Sequence, residues 1–88
     1  CAKYATFGTE KRARNAVAAL GNLNACLLAN HGQITVAEDI ATALRYAGEV
    51  ENLARQYCFS LMAGGPVLLD AQEMLVNVEK FKTYGKQC

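Results

Sequence analysis

The only histidine of the chain, His31, stands in the run "CLLANHGQITV" from Cys26 to Val36, where an apolar stretch breaks at a glycine and starts again. An imidazole carries protons near neutral pH and is the commonest side-chain ligand of a transition metal. One histidine alone makes neither a metal site nor a catalytic triad. Zinc wants about four ligands, and the sequence holds no HxH, HExxH or clustered Cys/His pattern. Its setting is more suggestive than its number, because a strand end beside a glycine turn projects a side chain to the edge of a sheet, where α/β folds place their chemistry. The plainer reading is a histidine hydrogen-bonded at a turn.

Other chemistry-bearing types read as ordinary structure. Lys11, Arg12 and Arg14 cluster on one helical stretch and could meet a phosphate, but a solvated face explains them more simply. Gly64-Gly65 lacks the spacing of a phosphate loop and follows a helix instead of opening one. Tyr46, Tyr57 and Phe59 fall at helical spacing and read as packing or subunit contacts. The four cysteines, Cys1, Cys26, Cys58 and Cys88, stand far apart with no CxxC, so no disulfide framework is indicated. Cys26 and Cys58 sit in apolar patterns and read as reduced core residues, while thiols at Cys1 and Cys88 could cross-link in air.

The elements that would carry these residues follow from local signals. Thr9 is an N-cap, and Ala13, Ala16, Val17 and Leu20 recur at helical spacing until Gly21 stops the run. "NACLLA" and "QITVA" read as two short strands with the turn at His31-Gly32, where glycine accepts backbone angles that other residues resist. Asp39 caps a long helix to Ala63, with Ile40, Leu44, Ala47, Val50, Ala54, Tyr57 and Leu61 on one face and Arg55 mostly off it. The helix ends at Gly64-Gly65-Pro66. Asp70 with Glu73 three residues on is a capping-box start for a last helix, whose Met74, Val78 and Phe81 share a face.

Eighty-eight residues, about half of them apolar, allow one small domain that buries only ~60% of its unfolded surface. Nine basic and eight acidic residues leave a net charge of +1 with no block of either sign. A nucleic-acid or membrane-surface role therefore has no electrostatic footprint. No apolar run approaches the ~18–20 residues of a membrane span, and the start lacks the order of a signal peptide, so a cytoplasmic protein is expected. Two short strands cannot bury both faces against three helices unless more sheet continues beside them. Residues 1–88 are accordingly expected to be part of one larger α/β domain, a piece of something longer.

"CAKYATFGT", "LLANHG", "EVENLARQY" and "VEKFKTYG" follow one another in an order and spacing similar to those of the class II aldolases, and most closely resemble the L-fuculose-phosphate aldolase type. The resemblance covers nearly the whole chain and corresponds to the C-terminal part of that family's single domain. "YATFGT" and "EKFKTYG" are its specific signals, whereas "NHG" is shared with epimerases and other relatives. It implies an α/β/α three-layer sandwich, here represented by a helix, two short strands, a long helix and a C-terminal helix. It also implies a homotetramer and a zinc ion held by three histidines and, at rest, a glutamate.

The last of those histidines belongs to the "HG" motif and maps onto His31, while the acid/base glutamate and the other two histidines would lie before Cys1. In such sites zinc acts as a Lewis acid that stabilises an ene-diolate during cleavage of a sugar phosphate into dihydroxyacetone phosphate and an aldehyde, with the glutamate moving protons. Phe7 matches an aromatic on the aldehyde side of the substrate, and Tyr84 a tyrosine on a mobile tail. Their plainer readings are a buried loop aromatic and a frayed terminal residue. Lys3 stands where relatives often have proline. L-fuculose 1-phosphate and fucose breakdown are the expected substrate and pathway, with a pentulose-phosphate 4-epimerase and a non-catalytic adducin-head-like domain as the alternatives.

Overall fold

The computed structural model describes residues 1–84. The first helix, α1, spans Glu10–Leu20 and opens on Thr9, whose hydroxyl accepts from the Arg12 backbone N–H at 3.3 Å and donates to the Thr6 carbonyl at 2.6 Å. One side chain thus fixes both the helix start and the loop before it. Gly21 ends α1 at φ 52° while its N–H bonds the Val17 carbonyl at 3.2 Å. The chain then forms β1 (Ala25–Leu28) and β2 (Gly32–Thr35), an antiparallel hairpin pairing Ala25 with Thr35, Cys26 with Ile34, Leu27 with Gln33 and Leu28 with Gly32. Beside the free edge of β1 lies Ala2 in a single parallel bridge to Leu28, with Ala2 N–H to the Leu27 carbonyl at 2.7 Å and Ala29 N–H to the Ala2 carbonyl at 3.2 Å. So isolated a bridge has no periodic signature in sequence.

Alternation along the strands sends successive side chains to opposite faces. On one face Cys26, Leu28 and Ile34 meet α1, and the buried residues are Ala2, Ala16 and Leu28 with Ala19, Cys26 and Ile34 packed around them. On the other face lies α2, Ile40–Met62, contacted from β2 by Gln33 and Thr35. The hairpin therefore has one helix on each side. The part of α2 turned toward it carries Ala43, Tyr46, Ala47 and Val50, all partly buried. Ala47, Val50 and Ala54 of the expected stripe are among the partly buried positions, but Leu44 is 72% exposed and Ile40 86%. The packed face is rotated away from them because the strand seats on the alanines, where it approaches the helix closely.

Asp39 caps α2: its Oδ1 accepts from the Thr42 N–H at 2.7 Å and its Oδ2 from the Thr42 hydroxyl at 3.1 Å. Those bonds, the backbone one first, hold its carboxyl below the usual carboxylate range. Gly64 and Gly65, at φ 115° and 104°, turn the chain after α2. The last helix, α3, spans Ala71–Phe81 with Asp70 as its cap, accepting from the Glu73 N–H at 2.8 Å. Only half of the expected capping box forms, since the Glu73 carboxylate accepts from Asn77 at 3.2 Å.

Burial fades along the chain. Leu53, Tyr57, Phe59, Leu61 and Met62 of α2 and Met74, Val78 and Phe81 of α3 are exposed. Cys58, expected in the core, is exposed too, because no other element among the described residues covers its turn of α2. The radius of gyration is 15.2 Å, against about 12 Å for a compact chain of this length. No helix is long and apolar enough to cross a membrane among the described residues. Cys88 and its possible link to Cys1 lie outside them.

Leu28→Ala removes the largest buried side chain of the small core and is expected to cost about 2–5 kcal/mol, whereas Thr9→Ala, a lost cap, costs about 1 kcal/mol; denaturant melts of the full-length protein compare the two. The Asp39 cap has its own pH signature. A carboxyl whose folded pKa lies below its unfolded value contributes stability above the unfolded pKa and loses it as pH falls through the folded one. Far-UV circular dichroism of Asp39→Asn, which keeps an acceptor and has no charge to lose, is expected to show less acid-side helix loss than the parent as pH falls through and below the ordinary carboxylate range.

Candidate functional site

Local chemistry at the hairpin tip decides how His31 is presented. The Leu28 carbonyl accepts from the His31 N–H at 3.1 Å across Ala29 and Asn30. Asn30 has φ 57° and is the only non-glycine residue with positive φ among the described residues. Positive φ at the third position of a four-residue turn is the mark of type II, which takes glycine or asparagine there. The strained angle is thus carried by Asn30 and not, as the sequence suggested, by Gly32, which is part of β2 and pairs with Leu28. Asparagine tolerates the left-handed region because its short polar side chain can bond locally.

At Gly32 a Cβ would meet nothing within 4 Å beyond its chain neighbours, so no close approach demands glycine there. His31 itself is exposed. Its backbone is pinned by the turn and its ring is open to approach, as a ligand requires. No group of three or more His, Cys, Asp or Glu side chains that could hold a metal occurs among the described residues. The donor set present fits one ligand of a metal centre and not a whole centre.

Phe7 lies 77% exposed in the turn before α1, beside Gly8 at φ 75°. It is not the buried loop aromatic of the plainer reading. Next to it, Gly8, Thr9, Leu28 and Ile34 help to line a recess of about 470 Å³ between the start of α1 and the hairpin. Tyr84, 79% exposed, stands edge-on to Phe81 with ring centroids 5.4 Å apart and planes at 61°. These two rings and Arg45, Tyr46 and Glu49 of α2 line a second recess of about 700 Å³. His31 lines neither, so the described residues do not bring His31, Phe7 and Tyr84 into one pocket.

Sequence reasoning passed over two side chains of β2. Gln33 Nε2 donates to the Ala47 carbonyl at 3.0 Å and Thr35 Oγ1 to the Ala43 carbonyl at 2.8 Å. The available signal was weak: polar residues at alternate strand positions, facing two alanines one helical turn apart.

A sequence profile described as "Class II Aldolase and Adducin N-terminal domain" matches residues 1–58. A 5-methylthioribulose-1-phosphate/5-deoxyribulose-1-phosphate aldolase of Rhodospirillum rubrum is 49% identical over 82 residues, 93% of this chain and 37% of that protein. The L-fuculose phosphate aldolase of Escherichia coli K12 is 45% identical over 86 residues, 97% of this chain and 40% of that protein. A 5-deoxy-D-ribulose 1-phosphate aldolase of Bacillus thuringiensis serovar kurstaki is 41% identical over 87 residues, 99% of this chain and 41% of that protein. The chain thus spans about two fifths of the length of these curated relatives. No solved structure gives a significant match.

The turn makes its own prediction. Asn30→Gly keeps the positive φ without strain and is expected to be near neutral, while Asn30→Val forces a β-branched residue into the left-handed region at a cost of about 1–2 kcal/mol. Chemical denaturation of the full-length variants separates the two, and equal costs would mean that the turn adopts another form.

Proposed function

This chain belongs to the class II aldolase and adducin N-terminal domain family, and on that premise we propose that the full-length protein is a metal-dependent aldolase acting on a ketose 1-phosphate. One observation carries the choice within the family. The family profile stops at residue 58, whereas identities of 41–49% to proteins named aldolases run over 82–87 residues. Those alignments continue well beyond the profile, through the stretch that holds α3. That continuation is what supports an aldolase over an adducin-like interaction domain. Nothing in the chain favours a pentulose-phosphate 4-epimerase over an aldolase.

His31 is the residue of this chain that would hold the metal, completing its shell with two histidines and a glutamate from before Cys1. A bound zinc ion supplies Lewis acidity toward the substrate's oxygens during aldol cleavage. The chain's own contribution is to hold the imidazole fixed on a type II turn with one flank open. Phe7, exposed ahead of α1, suits the aldehyde end of the substrate, and Tyr84 suits closure from the C-terminal side. Breaking a ketose 1-phosphate between C3 and C4 gives dihydroxyacetone phosphate whatever the remaining carbons are. L-fuculose 1-phosphate and the 5-deoxy- and methylthio-ribulose 1-phosphates therefore differ as substrates only in the aldehyde released and in stereochemistry. The stack of α1, hairpin and α2 is what supports an α/β/α three-layer sandwich as the fold of the whole domain; the homotetramer and the cytoplasmic location belong to the proposal through the family resemblance alone.

In the full-length protein, His31→Ala is expected to lose most bound zinc by elemental analysis and nearly all cleavage in a coupled assay for dihydroxyacetone phosphate; unchanged metal content would overturn the assignment. The 88-residue segment alone should show no cleavage and at most weak zinc binding, because one imidazole cannot close a tight site. Comparison of the three sugar phosphates by kcat/KM identifies the substrate.

A further inference from the structure

His31 sits at the tip of a hairpin whose strands are four residues each, and nothing within the hairpin decides where that tip lies along α2. Apolar contact alone would tolerate sliding. Two bonds do not. Gln33 Nε2 and Thr35 Oγ1 reach the carbonyls of Ala47 and Ala43 at 3.0 and 2.8 Å. The two donors are two strand residues apart, about 6.6–6.8 Å, and the two acceptors are four helix residues apart, about 6.0 Å along the axis. The spacings match closely enough for both bonds to form together, but only in one register and with the strand antiparallel to the helix. Alanine at 43 and 47 lets the strand approach the helix backbone.

The amide carries a second sign of this role. Gln33 Oε1 is buried without a hydrogen-bond partner. Turning the amide over would set that oxygen against the Ala47 carbonyl, so the observed orientation is imposed by the bond on the other side. A buried acceptor left unpaired costs stability, and an apolar side chain there would avoid the cost. What glutamine gives in return is register, the best-attested use of a polar group in an apolar contact.

We infer that Gln33 and Thr35 are positioning residues that lock β2 in a single register on α2 and thereby set the place of His31, two residues from Gln33. The inference rests on the reading of His31 as a metal ligand. Neither residue would be a ligand of the metal.

The test uses the full-length protein with Gln33→Leu, Thr35→Val and Thr35→Ser, reading the zinc dissociation constant by chelator competition, the thermal midpoint, and the His31 ring signal in zinc-free protein by NMR. Gln33→Leu and Thr35→Val are expected to weaken zinc binding by about 10–100-fold, the range seen when the support of a ligating histidine is lost. Thr35→Ser, which keeps the hydroxyl, restores binding to near the parent value. The Gln33→Leu midpoint stays at or above the parent's, and its His31 signal broadens or splits as the tip samples more than one register. Parent-like zinc affinity in both Gln33→Leu and Thr35→Val overturns the inference, as does a loss of affinity that only tracks a fall in midpoint. If Gln33→Leu does not fold, the contrast between Thr35→Val and Thr35→Ser decides. Full zinc retention by His31→Ala defeats the ligand reading instead, and the positioning role then stands or falls on the zinc-free His31 signal.

Discussion

Two strands of four residues cannot hold each other in water, and this constraint governs the whole chain. The hairpin persists because each face is covered by a different helix, and the two covers work differently. Toward α1 the contact is apolar: Leu28 closes on Ala16 and Ala2, and the Cys26 thiol lies 3.8 Å from the Ala16 carbonyl. Toward α2 the contact is polar and spaced, two side-chain donors on two backbone carbonyls. The first kind of contact supplies stability without specifying a position. The second specifies a position at some expense in stability. A ligand at the hairpin tip needs both.

What could be read from the sequence was whatever depends on neighbours a few residues away. Thr9, Gly21, Asp39 and Asp70 begin or end helices where their side chains or backbone angles demand it, and all four stand at those ends. Capping is a bond between residues two or three apart, so no fold is needed to see it. The tip was half legible. Its turn was evident, but glycine drew attention from Asn30, since both residue types accept positive φ and only the hydrogen-bonded pairing of Leu28 with Gly32 shows which one must.

Properties that depend on a distant partner could not be read in this way. Ile40 and Leu44 have the periodicity of a buried stripe, yet β2 settles on the alanine face, where Gln33 and Thr35 bond the Ala47 and Ala43 carbonyls, and a helix pattern alone carries no trace of that partner. The parallel bridge of Ala2 to Leu28 joins residues 26 positions apart through one pair of bonds, too little to leave a pattern. For the site, His31 stood out as the only histidine of the chain. The roles proposed for Phe7 and Tyr84 came from resemblance, because an exposed loop phenylalanine and a tyrosine beside a helix end have no pattern of their own.

The decline of burial toward the C-terminus has a physical meaning for α3. Eleven residues are fewer than the ~12–15 at which an isolated helix becomes even marginal in water. The Asp70 cap, the Asn77–Glu73 bonds and the Phe81–Tyr84 ring pair are local supports that favour the helix without anchoring it. Its exposed Met74, Val78 and Phe81 form a stripe with a helical period, and such a stripe stabilises a helix only when it is covered. Among residues 1–84 that cover is missing.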